Sequence, residues 1–160
     1  MTAESQTLEP PRFESLGSLK LVGLERVFTG ETRGAIPKLW EEFAPWIGKI
    51  PSQIGGTAYG LMWDEKPQAG FHYMACVEVP SGASVPEGLV EVNVAEQRYA
   101  VFTHRSHVSE LFETMCAIYQ QWVPKTKVNL IDGHWFERYG EDFDAATGMG
   151  SIEIWLPVTA

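Results

Sequence analysis

Trp135, Glu137 and Tyr139 stand two residues apart near the C-terminal end of the chain. Alternate residues of an extended strand project from one face, so here a carboxylate would be flanked by an indole and a phenol. Rings supply apolar contact and the negative face of a π-system, and the carboxylate neutralises charge; together they suit a lipophilic cation. Burying an unpaired carboxylate is costly, so a Glu enclosed by rings would need a purpose. The same alternation also fits a solvent-facing strand with Glu137 in water. Glu153 and Trp155 repeat the acidic–aromatic spacing further on, with Ile152, Ile154 and Leu156 between and beside them. In the first half of the chain, Tyr59, Trp63 and Tyr73 are candidates for the facing wall of the same cleft, or else for core.

Other chemistry is thinly represented. His72, His104, His107 and His134 are scattered, with no zinc spacing, and no metal or cofactor is expected. Tetrapyrrole binding would need an axial ligand from His72, His104 or His134, and the spacing singles out none of them. Cys76 and Cys116 lie in apolar stretches and read as buried thiols. There is no nucleophile elbow, phosphate loop or dinucleotide fingerprint.

Composition narrows the classes. The 160 residues carry 12 Lys plus Arg against 21 Asp plus Glu, a formal charge of −9. That sign is wrong for direct nucleic-acid binding, which needs a basic face to release counterions, and equally for an anionic membrane surface. No apolar run reaches the ~20 residues of a membrane span, and the N-terminus lacks the basic and apolar regions of a secretory signal. A soluble, cytoplasmic protein is expected. Aromatic residues make up 12% of the chain, enough to serve both a core and a pocket.

The elements that would position these residues come in a repeated order. Residues 1–17, with Pro10 and Pro11, read as a flexible lead-in. Leu19–Thr29 suits a strand. Ala35–Ile47 has Ile36, Leu39, Trp40, Phe43 and Trp46 on one helical face. Thr57–Trp63 and Phe71–Val79 follow as strands. After a Pro/Gly/Ser loop, Glu96–His104 is a strand and Val108–Trp122 a helix, with Phe112 and Tyr119 on its core stripe and Ser106 or Ser109 as cap. Gly133–Tyr139 and Ser151–Val158 close the chain as strands. Two βαββ halves, about 19–80 and 96–158, therefore make one α+β domain over 18–160. Neither half can cover its own sheet. Joined edge to edge they give a curved antiparallel sheet with pseudo-twofold symmetry and two helices on one face. A ligand groove is expected between the halves.

The tandem βαββ order, the segment WFERYGEDFD and the closing IEIWLPV resemble the GyrI-like (gyrase-inhibitor-like) small-molecule-binding superfamily, over about residues 18–158. That superfamily includes effector domains of AraC- and MerR-type multidrug regulators and stand-alone integron-cassette proteins. The resemblance implies a groove for lipophilic, often cationic compounds, with its Glu-x-Tyr motif falling on Glu137 and Tyr139. A second acidic–aromatic pair falls on Glu153 and Trp155, where Trp replaces the expected Tyr. The regulators carry a helix-turn-helix domain that the leading residues here do not supply. A separate protein partner is the other contact the resemblance implies, as in gyrase inhibitors. The resemblance also admits a hydrolase that opens strained, cyclopropane-containing natural products, with Glu137 as acid or base and Tyr139 polarising the substrate.

Overall fold

The computed structural model describes residues 8–66, 70–131, 133–144 and 146–159, with no side-chain description for 64–66. The first seven residues of the expected lead-in lie outside the described residues. Of the rest of that segment, Arg12–Leu16 forms strand β1. Strands β2 (Leu19–Phe28), β3 (Ala58–Lys66), β4 (Gly70–Val79), β5 (Val90–Val94), β6 (Gln97–His104), β7 (Trp135–Tyr139) and β8 (Ile152–Pro157) follow. All pairings are antiparallel, in the order β1-β6-β8-β7-β3-β4-β2-β5. The two halves meet where β3 pairs with β7, and the order is symmetrical about that seam.

Two short connectors dictate the curvature. Gly17–Ser18 joins β1 to β2, and Ala95–Glu96 joins β5 to β6. A two-residue link spans about 10 Å. Yet β1 and β2 are first and seventh in the sheet, which in a flat sheet would separate them by about 29 Å. The sheet must curl until its edges approach. It stays unclosed, because β1 and β5 are not paired. The inner face is lined by Leu21, Tyr59, Leu61, Met74, Cys76, Tyr99, Phe136 and Trp155.

Helix α1 (Ile36–Phe43) packs Leu39 and Phe43 on the outer face, against Val22, Met62, Tyr73 and Ala75. It is shorter than its apolar stripe. Pro37 sits in its first turn, and around Pro45 the chain tightens into a 3-10 turn, Ala44–Trp46. Helix α2 (Leu111–Ala117) covers the other half with Leu111, followed by Ile118, on Ala100, Phe102, Ile152 and Ile154. The expected core stripe of this helix is rotated. Leu111, Thr114, Ala117 and Ile118 face inward, while Phe112 and Tyr119 are 52% and 48% exposed. Thr114 is drawn inward by buried His104, whose Nδ1 lies 2.7 Å from its hydroxyl. The cap also differs from expectation: the His107 ring accepts the Ser109 N–H at 3.0 Å. His104 Nε2 donates to the His107 carbonyl at 2.8 Å, so both ring nitrogens are engaged.

Candidate functional site

Register across the seam decides which residues share a face. Met62 is opposite Trp135, Gly60 opposite Glu137 and Ala58 opposite Tyr139. On the next strand Tyr73 is opposite Met62. Trp135, Glu137, Tyr139 and Tyr73 therefore all face the helices. Glu137 Oε1 accepts the Tyr139 hydroxyl at 2.7 Å and the Tyr73 hydroxyl at 3.0 Å. Trp40, from α1, donates its indole N–H to the Tyr73 oxygen at 2.8 Å. Its ring also meets Tyr139 edge-on, with centroids 5.4 Å apart. Phe143 also packs against Tyr139, with ring centroids 4.9 Å apart. Glu137 is half-buried in this aromatic enclosure.

Close packing here depends on a missing side chain. A Cβ at Gly60 would lie 2.2 Å from the Tyr73 hydroxyl oxygen and 2.8 Å from Glu137 Oε1. Glycine lets the phenol from β4 reach across β3 to the carboxylate on β7. Neither Gly60 nor Trp40 is among the site residues expected from sequence. A lone Gly inside an apolar strand is a known sign of close approach. Trp40 gives no such sign, because its spacing on the helical stripe is also that of a core residue.

The electrostatics follow from enclosure. Desolvation raises the Glu137 pKa from 4.5 to about 7, partly offset by the hydrogen bonds from Tyr139 and Tyr73. Burial, then the nearby Glu137 charge, pushes both phenols well above their ordinary range, so they remain donors at neutral pH. Among the described residues no Lys or Arg pairs with Glu137. The carboxyl group thus sits near its titration midpoint at neutrality with only phenols for support.

This has a sign that can be measured. A carboxyl group whose pKa is higher folded than unfolded binds more protons in the folded state. Its contribution to stability is then greatest below about 4.5 and declines as pH rises to about 7, with a total loss of about 3 kcal/mol. The substitution Glu137→Gln removes the charge that must be desolvated. The variant should match the wild type near pH 4.5 and exceed it by up to about 3 kcal/mol at pH 8, by urea unfolding. A stability difference that does not change with pH would show that the carboxylate is well solvated.

Four other candidates lie elsewhere. Tyr59 is opposite Arg138, Trp63 opposite His72, Glu153 opposite Arg138 and Trp155 opposite Phe136, all on the inner face of the sheet. The expectation that they share a cleft with Glu137 is therefore corrected. Cross-strand partners share a face, and the β7–β8 register pairs Trp155 with Phe136 rather than with a neighbour of the same parity as Glu137. Trp155 stacks on Phe136 at 5.4 Å, and Tyr59 meets Phe136 edge-on at the same distance. Glu153 is already neutralised, with Arg12 at 3.0 Å and Arg138 at 3.6 Å. Trp63 stacks on His72 with ring centroids 4.8 Å apart.

The model of the GyrI-like small molecule binding domain matches residues 9–159. The chain belongs to the GyrI-like family. This GyrI-like domain is 32% identical over 144 residues to the transcriptional regulator BrlR of Pseudomonas aeruginosa, covering 88% of this chain and 52% of that one. It thus spans about half the length of the curated relative it matches. Among solved structures it is similar to SAV2435 bound to tetraphenylphosphonium, with 22% identity, 95% coverage of each chain and a TM-score of 0.74. It is also similar to an integron cassette protein from Vibrio cholerae, with 18% identity, a TM-score of 0.67 and coverage of 95% of this chain and 97% of that one. Those two likenesses establish a shared fold. The GyrI-like domain is therefore a small-molecule-binding fold whose described residues include no helix long and apolar enough to cross a membrane.

Proposed function

We propose that this domain binds lipophilic cations, with Glu137 as the neutralising group and Trp40, Tyr73, Trp135 and Tyr139 as the surrounding rings. One observation carries the reading: a desolvated carboxylate held by two phenols, with no cationic partner among the described residues. A protein gains little from such a group by itself, since a partly desolvated charge without a counter-ion costs stability. A cationic ligand reverses that balance by supplying the missing charge in a low-dielectric setting. The structural relative bound to tetraphenylphosphonium makes that ion the natural first probe. An open cavity of about 220 Å³ lies beside Trp135, lined also by Tyr119, Gly133 and Leu156. Trp135 is the one residue of the proposed ring set that lines it.

Because the cation binds the ionised form, affinity should track the ionisation of Glu137. With a pKa of about 7, the ionised fraction rises about 30-fold between pH 5.5 and pH 8. Calorimetric titration with tetraphenylphosphonium should give a dissociation constant about 30-fold lower at the higher pH, with proton release on binding near neutrality. Absence of binding, or an affinity flat with pH, would remove the proposal.

The same titration midpoint supports a second reading. A group near pKa 7 is matched to general acid–base work at neutral pH, and two phenolic donors could stabilise developing negative charge. The reaction within reach of so small a set is hydrolytic opening of a strained electrophile such as an activated cyclopropane. Ring-opened product detected by mass spectrometry, and lost in Glu137→Gln, would support it; binding without turnover would leave the first reading alone.

A further inference from the structure

The hydrogen bonds at Glu137 are one-sided. A carboxylate offers about two lone-pair sites on each oxygen. Oε1 uses both, for Tyr139 at 2.7 Å and Tyr73 at 3.0 Å. Trp40 fixes the direction of this relay. An indole N–H can only donate, so at 2.8 Å it occupies the acceptor side of the Tyr73 oxygen and turns the Tyr73 proton toward Glu137. No described residue donates to Oε2. Glu137 is half-buried, and among the described residues its second oxygen receives no donor, which leaves it open to a donor from solvent or ligand.

Resting on the reading of Glu137 as a cation-binding group, we propose that the site selects cations that carry an N–H donor. Protonated amines and amidines are favoured over quaternary ammonium or phosphonium ions of the same shape. An ammonium N–H gives Oε2 a short, charge-assisted hydrogen bond. A quaternary centre keeps its charge behind alkyl or aryl groups and leaves Oε2 unsatisfied. It binds through charge and ring contact alone. The preference is therefore a property of one oxygen atom, separate from the general attraction for positive charge.

A matched pair of ligands separates the two effects. At pH 8, (3,3-diphenylpropyl)dimethylamine is protonated, and its N-methylated quaternary salt has nearly the same shape and the same charge. Calorimetry on the full chain should show the amine binding about tenfold more tightly, the increment of a charge-assisted hydrogen bond. In Glu137→Gln, whose fold is checked by circular dichroism, both ligands should weaken and the preference should vanish. Equal binding of the pair by the wild type, with both weakened in the variant, overturns the donor preference and leaves the cation reading standing. A preference that persists in the variant overturns the assignment to Glu137. If neither ligand binds, or neither is weakened by the substitution, both readings fall.

Discussion

Glu137→Gln should lower the affinity for tetraphenylphosphonium by about a hundredfold at pH 8. Two unit charges about 5 Å apart attract by about 3 kcal/mol at an effective dielectric constant near 20, which is a factor of about 200 before solvent and ligand adjust. The substitution is nearly isosteric, and its amide oxygen can still accept from Tyr73 and Tyr139, which lie 3.0 and 2.7 Å from the carboxylate oxygen. Ring contacts are therefore kept and charge alone is removed. A neutral aryl compound of related shape, triphenylphosphine oxide, provides the control. Its binding should change by less than about threefold, since its apolar transfer term does not involve the carboxylate. Titration calorimetry reads both. Equal weakening of the two ligands would mean that the variant has altered the shape of the site, and the electrostatic account would go.

Gly60→Val should lower the melting temperature by about 4–8 °C, the equivalent of about 2 kcal/mol for a chain of this size. The new Cβ would lie 2.2 Å from the Tyr73 hydroxyl oxygen and 2.8 Å from Glu137 Oε1. Glu137 can swing aside, but Tyr73 is fully packed and its ring has nowhere equivalent to go. Moving the phenol breaks its bonds to Trp40 and Glu137 together. With one donor fewer, the carboxylate is less well supported, and its pKa should rise further. The pH at which cation binding reaches half its plateau should shift upward in parallel. Differential scanning calorimetry checks the first effect, and the pH profile of tetraphenylphosphonium binding checks the second. A melting point within about 1 °C of wild type would mean that the seam tolerates a side chain, and the close approach would lose its role.

Much of this molecule was readable from residue order. The two βαββ halves, the helical stripe of α1 and the strand spanning Trp135–Tyr139 follow from apolar periodicity and from Pro and Gly punctuation. Alternation within a strand is local geometry, so the shared face of Trp135, Glu137 and Tyr139 follows as soon as that segment is extended. The stripe of α2 was less legible. Phe112 and Tyr119 are as apolar as the residues that turned inward, and the tie between His104 and Thr114 depends on a neighbouring strand.

What residue order left open is the relation between strands. A period of two says which residues of β8 share a face, but not which face of β7 they join; a shift of one residue in pairing moves the whole set. That is why Glu153 and Trp155 resemble the Glu137 device in sequence and yet lie on the opposite side, with Glu153 neutralised by Arg12 and Arg138. Only tertiary structure brought Tyr73 across Gly60 to the carboxylate and set Trp40 behind it. Those contacts join three strands and a helix from both halves of the chain. Such contacts depend on register and curl, which arise when the whole sheet assembles and leave no spacing for a single segment to display.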